Sequence, residues 1–285
     1  MKIGIRNYYL DKYGLDIGSE RMAQHGYSAV DYNFSDTESI FYSEKEEKFI
    51  SMLYEIRNKL KSHGLYVNQI HGPWKWPVKD ATEDDRADWF GKMTKALVIA
   101  KHLGAKYMAI HPLMPFGHNS MEKAEEIYNI NVKYYSALAN IAKNLGVIIC
   151  LENLPFQSFP ISRTEDILKL IDMINHPNIK MCFDTGHSHI LGENLGDSIR
   201  LIGRDKLRII HIHDNDGEND DHLIPYEGTI DWSDVAEGLF DIGYDGVFSL
   251  ETAPVNADDT SFDINDKVVE EKELELAKIA KLIAG

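Results

Sequence analysis

The stretch from Met121 to Glu152, MEKAEEIYNINVKYYSALANIAKNLGVIICLE, holds the unit from which the fold follows. Across Met121 to Leu145, residues Ala124, Ile127, Tyr134, Leu138, Ile141 and Leu145 recur at steps of three, four or seven, which predicts a helix with one buried face. Gly146 stands where that helix should stop, because glycine accepts the left-handed backbone that ends a helix. Val147 to Glu152 then reads as a strand, a short apolar run that ends on a carboxylate.

The same unit recurs on both sides. Further strands are predicted at Lys2 to Arg6, Ala29 to Phe34, Tyr66 to His71, Tyr107 to His111, Ile179 to Asp184, Leu207 to His213 and Gly246 to Glu251. Helices are predicted at Glu44 to His63, Asp85 to His102, Thr164 to Ile174, Leu195 to Gly203, Ser233 to Ile242 and Asp266 to Ile283. Thr164 reads as a helix-capping residue followed by acids suited to a first turn, and Gly64 and Gly104 repeat the stop signal of Gly146. Alternation of this kind means parallel strands with helices outside. An open doubly wound sheet explains about six units, whereas eight strands with a helix after the last one fit a closed barrel. The fold expected is α/β, a single (β/α)8 TIM barrel over residues 1–285, since no Pro-rich linker or low-complexity segment divides the chain.

Composition agrees. With 44% hydrophobic and 27% charged residues the 285-residue chain is of globular type, and its net charge of −16 opposes non-specific attraction to nucleic acid or anionic membranes. Met1 to Asn7 lacks the apolar core of a secretion signal, and no window reaches 18 consecutive apolar residues. Cys150 and Cys182, the only cysteines, sit inside apolar runs and read as small buried side chains. These features set a cytoplasmic location and no membrane partner as the expectation. Lys267, Lys272, Lys278 and Lys281, interspersed with acids, mark the last helix as having a solvated face.

The chemistry lies at the strand ends. His71, His111, Glu152, Asp184, His211 and Glu251 close strands three to eight in succession, and a barrel gathers all such ends on one face. Crowded imidazoles and carboxylates leave charge unbalanced unless a cation joins them, and both are natural ligands of a divalent metal. Period two puts His213 on the face of His211, where it could touch substrate or orient its neighbours. Asp184 and His187 flank a glycine-bent turn, and Asp220-Asp221-His222 lies in the loop beyond strand seven. Asp231 reads as an N-cap. Arg6 is a rare cation among the strand ends, and Trp74 and Trp76, on either side of Lys75, suit the apolar face of a sugar. The absence of a P-loop or dinucleotide fingerprint speaks against a nucleotide cofactor.

The signatures Leu151-Glu152-Asn153, Phe183-Asp184-Thr185-Gly186-His187, His211-Ile212-His213-Asp214-Asn215-Asp216 and Glu251-Thr252-Ala253-Pro254 resemble those of the xylose isomerase-like TIM barrels, along essentially the whole chain. That superfamily includes sugar isomerases and epimerases and the repair enzyme endonuclease IV. Resemblance to the ketose 3-epimerase branch implies one divalent ion on Glu152, Asp184, His211 and Glu251, with Glu152 and Glu251 as acid/base pair and His187 binding substrate. Resemblance to the endonuclease IV branch implies up to three zinc ions, held by His71, His111, Glu152, Asp184, His187, His211, Asp220, His222 and Glu251, with Trp74 near DNA. Gly186 stands where the repair enzymes commonly carry cysteine, and the Asp214 to Gly217 and Gly228 to Trp232 segments look more like the isomerase group.

The function expected is therefore that of a metal-dependent sugar isomerase or epimerase (Mn, Mg, Co or Zn). It would act on a ketose or related α-hydroxycarbonyl compound by proton transfer through an enediolate. Glu152 and Glu251 would move the proton, and Arg6, Trp74, His187 and His213 would contact substrate, a neutral sugar being preferred to a phosphate ester. One alternative is zinc-dependent hydrolysis of abasic DNA, the only reading with a DNA partner. The other is a non-catalytic metal-binding barrel. The oligomeric state stays open.

Overall fold

The computed structural model describes residues 1–254 and 267–285. Its strands are β1 (Lys2–Arg6), β2 (Ala29–Asn33), β3 (Tyr66–His71), β4 (Tyr107–Ile110), β5 (Ile148–Glu152), β6 (Ile179–Asp184), β7 (Leu207–Ile212) and β8 (Val247–Leu250). All pair in parallel in chain order, and β1 closes on β8 through Ile5 opposite Leu250, so the sheet is a closed barrel. Around it lie α1 (Tyr8–His25), α2 (Ile40–Ser43), α3 (Glu46–Ser62), α4 (Glu83–Leu103), α5 (Ala124–Leu145), α6 (Thr164–Ile174), α7 (Thr185–Ile190), α8 (Leu195–Lys206), α9 (Trp232–Asp241) and α10 (Lys267–Ala284). Among the described residues no helix is long and apolar enough to cross a membrane.

Strand periodicity separates two buried layers. Leu151, Phe183, Ile210 and Ile212 join the large core formed with the helices. Ala109, Cys150, Cys182 and Ile209 form a small separate cluster. Each lies two residues before His111, Glu152, Asp184 or His211, so this cluster plugs the barrel beneath the polar strand ends. Both thiols are free and buried, as a packing role requires.

Local signals act as their chemistry dictates. Gly104 and Gly146 end α4 and α5 in the left-handed region, at φ 80° and 74°. Asp231 caps α9 by accepting from the amides of Ser233 and Asp234. Some expectations need correction. His111 and Glu251 lie one residue beyond their strands, and His213 likewise follows β7. The cap of α6 is Arg163, whose amide donates to Asp166, while Thr164 is the first helical residue and donates to Glu193 Oε2 at 3.0 Å. On α5 the residues Ala124, Ile141 and Leu145 are only half-buried. The buried stripe keeps the expected Ile127, Tyr134 and Leu138 and also takes in Tyr128, Asn131 and Tyr135, Asn131 bonding the Leu113 backbone in both directions, at 2.8 and 3.1 Å. Helix α1 escapes the periodicity argument because Gly14 breaks its helical backbone and splits the pattern. The predicted last helix begins at Lys267, and Asp266 lies outside the described residues.

Candidate metal centre and active site

Glu152 ends β5 in the middle of the polar cluster. Its Oε1 lies 3.1 Å from His211 Nδ1 and 3.8 Å from His187 Nδ1, and its Oε2 lies 3.4 and 3.5 Å from the Nε2 atoms of His111 and His71. From the opposite side Glu251 Oε2 reaches His211 Nδ1 at 2.7 Å. Ligand atoms of Glu152, Asp184, His211 and Glu251 all fall within 4.8 Å of one another, as do those of His71, His111 and Glu152.

How the imidazoles are held shows what they face. Nδ1 of His71, His187 and His222 lies 2.8, 2.9 and 2.7 Å from the carbonyl oxygens of Gly72, Asn153 and Glu251. A carbonyl only accepts, so each Nδ1 carries the proton and, in the neutral ring, each Nε2 turns a lone pair outward. Those lone pairs face carboxylates: His71 faces Glu152, while His187 and His222 face Asp220 Oδ2 at 3.4 and 3.5 Å. Acceptor against acceptor is repulsive unless a proton or a metal ion stands between them. Buried Oε2 atoms of Glu152 and Glu251 make no hydrogen bond, although the second is only 2.7 Å from an imidazole nitrogen. A hard or borderline divalent cation fits this donor set.

The charge balance says the same. Burial pushes the Glu152 and Glu251 carboxyls up, and His211 with its neighbours more than offsets this, holding both well below the usual range. For His187, burial acts downward but Asp184 and Asp220 raise it to about 10. His222 is raised to about 9, burial being outweighed by Asp220 and Glu251. His111 goes the other way, because burial outweighs the pull of Glu152. The carboxylates thus demand positive charge, which protons supply in the metal-free protein.

Supporting groups fix this arrangement. Buried Gln69, two residues before His71 on the inward face of β3, offers Oε1 to His211 Nε2 at 3.2 Å and so turns Nδ1 toward the glutamates. Asn153 ties its side chain to the Asp184 backbone at 2.7 and 2.9 Å. Asp214 accepts from the amides of Asn215, Tyr226 and Ile230 and from the Trp232 indole, pinning the loop that brings Asp220 and His222 over the barrel. The sequence reading gave none of these three a role; for Gln69 the available signal was its period-two relation to His71.

His213, expected at substrate or as an orienting group, is fully buried and lies outside the cavity lining. Its Nε2 lies 3.0 Å from Asp184 Oδ1 and its ring stacks on His222 at 4.0 Å. Arg6, Trp74, His187, Glu152 and Glu251 line one cavity of about 450 Å³. Trp74 packs edge-on against His111, and Trp76 stacks on Phe156 at 5.3 Å. Lys75 turns away to pair with Glu38.

The model of the family described as xylose isomerase-like TIM barrel matches residues 19–274. The chain belongs to that family. An uncharacterized protein of Methanocaldococcus jannaschii is 28% identical over 293 residues, covering 96% of this chain and 94% of its own. The D-psicose 3-epimerase of Ruminiclostridium cellulolyticum is 23% identical, covering 81% of this chain and 76% of its own. Among solved structures, a D-tagatose 3-epimerase-like protein superposes with a TM-score of 0.76 at 25% identity, over 99% of this chain and 98% of that one.

Proposed function

We propose that this family member is a divalent-metal-dependent epimerase or isomerase of ketoses or related α-hydroxycarbonyl compounds, with Glu152 and Glu251 as its proton-transfer pair. The observation that carries the reading is their meeting, from β5 and from just beyond β8, at one imidazole nitrogen, His211 Nδ1, while both glutamates line a cavity large enough for a sugar. Relatives whose names are those of 3-epimerases support the substrate class.

A divalent ion held by Glu152, Asp184, His211 and Glu251 would supply Lewis acidity to the substrate's carbonyl and neighbouring hydroxyl oxygens. Both glutamates are ionised at neutral pH, so either can take a proton from the carbon beside the carbonyl. Relay of a proton through the substrate oxygens or solvent to the other glutamate, and its delivery from there to the opposite face, inverts that carbon; delivery to the adjacent carbon isomerises the sugar. His187 sits where it can hold a substrate oxygen, and Trp74 with the Trp76–Phe156 stack offers an apolar wall to the CH face.

Replacing Glu152 or Glu251 with Gln keeps the volume and removes the base, so turnover should fall about 100-fold or more. Solvent-deuterium incorporation beside the carbonyl of a ketose, followed in metal-replete wild type and both variants, is the measurement. Undiminished exchange and turnover in both variants would overturn the assignment.

A second reading has its own observation. His71, His111 and Glu152 form a further ligand cluster, and His187 and His222 both face Asp220. These groups could hold additional ions and make the protein a zinc-dependent hydrolase of abasic DNA. Against it stand the −16 charge and Arg6 as the sole Lys or Arg of the cavity lining among the described residues. Metal analysis decides: about one exchangeable ion per chain supports the epimerase, whereas about three zinc ions with cleavage of an abasic duplex would establish the hydrolase.

A further inference from the structure

The guanidinium of Arg6, at the end of β1, has no hydrogen-bond or ion-pair partner among the described residues. It is only partly exposed, and it lines both the 450 Å³ cavity and the small recess beside it that holds His211, Gln69 and Asp31. Its neighbours in the lining, Asn33 and Ser35, are also able to donate: Asn33 Oδ1 is taken by the Ser35 amide, which leaves the Asn33 amide nitrogen for a ligand. The same lining also carries Glu251, His71 and, in the small recess, Asp31 and His211.

A partly buried guanidinium without an acceptor is costly, and carboxylates stand in the same cavity. Arg6 folds onto none of them. Neutral hydroxyl groups do not require a fixed charge, because amides and hydroxyls such as those of Asn33 and Ser35 hold them. A planar fork of N–H donors matches two oxygens on one carbon. One such fork with an amide and a hydroxyl beside it suits a two-oxygen anion better than a phosphate monoester, which asks for more positive charge.

We infer that the substrate is a sugar acid, a ketose or related α-hydroxycarbonyl compound whose carboxylate is clamped by Arg6 while its carbonyl end lies between Glu152 and Glu251. This rests on the epimerase reading for its reacting end and departs from the neutral sugar expected from sequence. The carboxylate sets which substrates enter, and Arg6 is the residue that selects them.

The test is calorimetric titration of the metal-replete protein with an unreactive six-carbon aldonate, with the matching alditol and with a hexitol phosphate. Wild type should bind the aldonate at least about tenfold more tightly than the alditol, and R6M should lose that preference while R6K keeps part of it. Equal binding of aldonate and alditol, a preference that survives in R6M, or an Arg6-dependent preference for the phosphate would each overturn the inference. Turnover of a keto-uronate against a neutral ketose is measured in parallel. If the aldonate preference holds but neither sugar shows exchange beside its carbonyl, the epimerase reading fails while the anion site stands.

Discussion

Gly186 shows how one missing side chain shapes this centre. A Cβ built there would overlap the His213 imidazole, so the Asp184-Thr185-Gly186-His187 turn and the His213 position are possible only together. His213 in turn holds Asp184 at 3.0 Å, and Asp184 Oδ1 accepts from the His187 amide at 2.7 Å. We predict that G186A displaces His213 and lowers metal affinity and turnover by about 10-fold or more, the size expected when a group supporting a metal ligand is lost. In an H213A background the same change should add little. Metal affinity by chelator competition, measured on the single and double variants, checks this; an additive loss would refute the coupling.

At the scale of elements, the connection between β3 and α4 carries Trp74 and Trp76 and is pinned by one carboxylate. Asp80 is almost fully buried and accepts from the Met114 amide at 2.6 Å, joining that connection to the one after β4. Burial raises its pKa from 3.8 to about 6, the Met114 bond and Arg86 only partly offsetting it. An acid whose folded pKa lies above its unfolded value stabilises the fold when protonated. Its contribution is full below pH 3.8 and is lost as pH rises through about 6. D80N removes this titration, so its stability relative to wild type should rise by up to about 3 kcal/mol across that interval. Urea unfolding of both proteins from pH 4 to pH 7 reads the difference, and parallel stability curves would refute the role.

For the whole molecule, closure of the barrel brings the chain ends together. The N-terminal ammonium donates to the Ala284 carbonyl at 2.9 Å, and α10 packs beside α1. Fully buried Glu273 on α10 accepts from Tyr13 at 2.6 Å, from Arg21 at 2.7 Å and from Tyr8 at 3.3 Å. Removing the carboxylate takes the acceptor from Tyr8, Tyr13 and the partly exposed Arg21, so E273A should destabilise the protein by about 2 kcal/mol or more. Glu273 does not line the site cavity, so the variant should keep its metal affinity while folded. A shift in the denaturation midpoint worth less than about 1 kcal/mol would show the tie to be incidental.

The repeat of strand, glycine-stopped helix and strand was legible in the sequence because period and stop signals are local properties of the chain. It determined the barrel and placed His71, His111, Glu152, Asp184, His211 and Glu251 together, since a closed parallel sheet leaves their strand ends nowhere else to go. Helix α1 was not legible, because the break at Gly14 spoils its period. Nor were the roles of Gln69, Asn153 and Asp214, polar residues whose partners lie 31 to 142 positions away or across a long loop. Only the tertiary structure decided which nitrogen His71 and His187 turn toward the carboxylates, that His213 meets Asp184 from outside the cavity lining, and that Arg6 faces a cavity without a hydrogen-bond or ion-pair partner among the described residues. Each depends on a hydrogen-bond partner supplied or withheld by another strand or loop, and no local pattern carries that information.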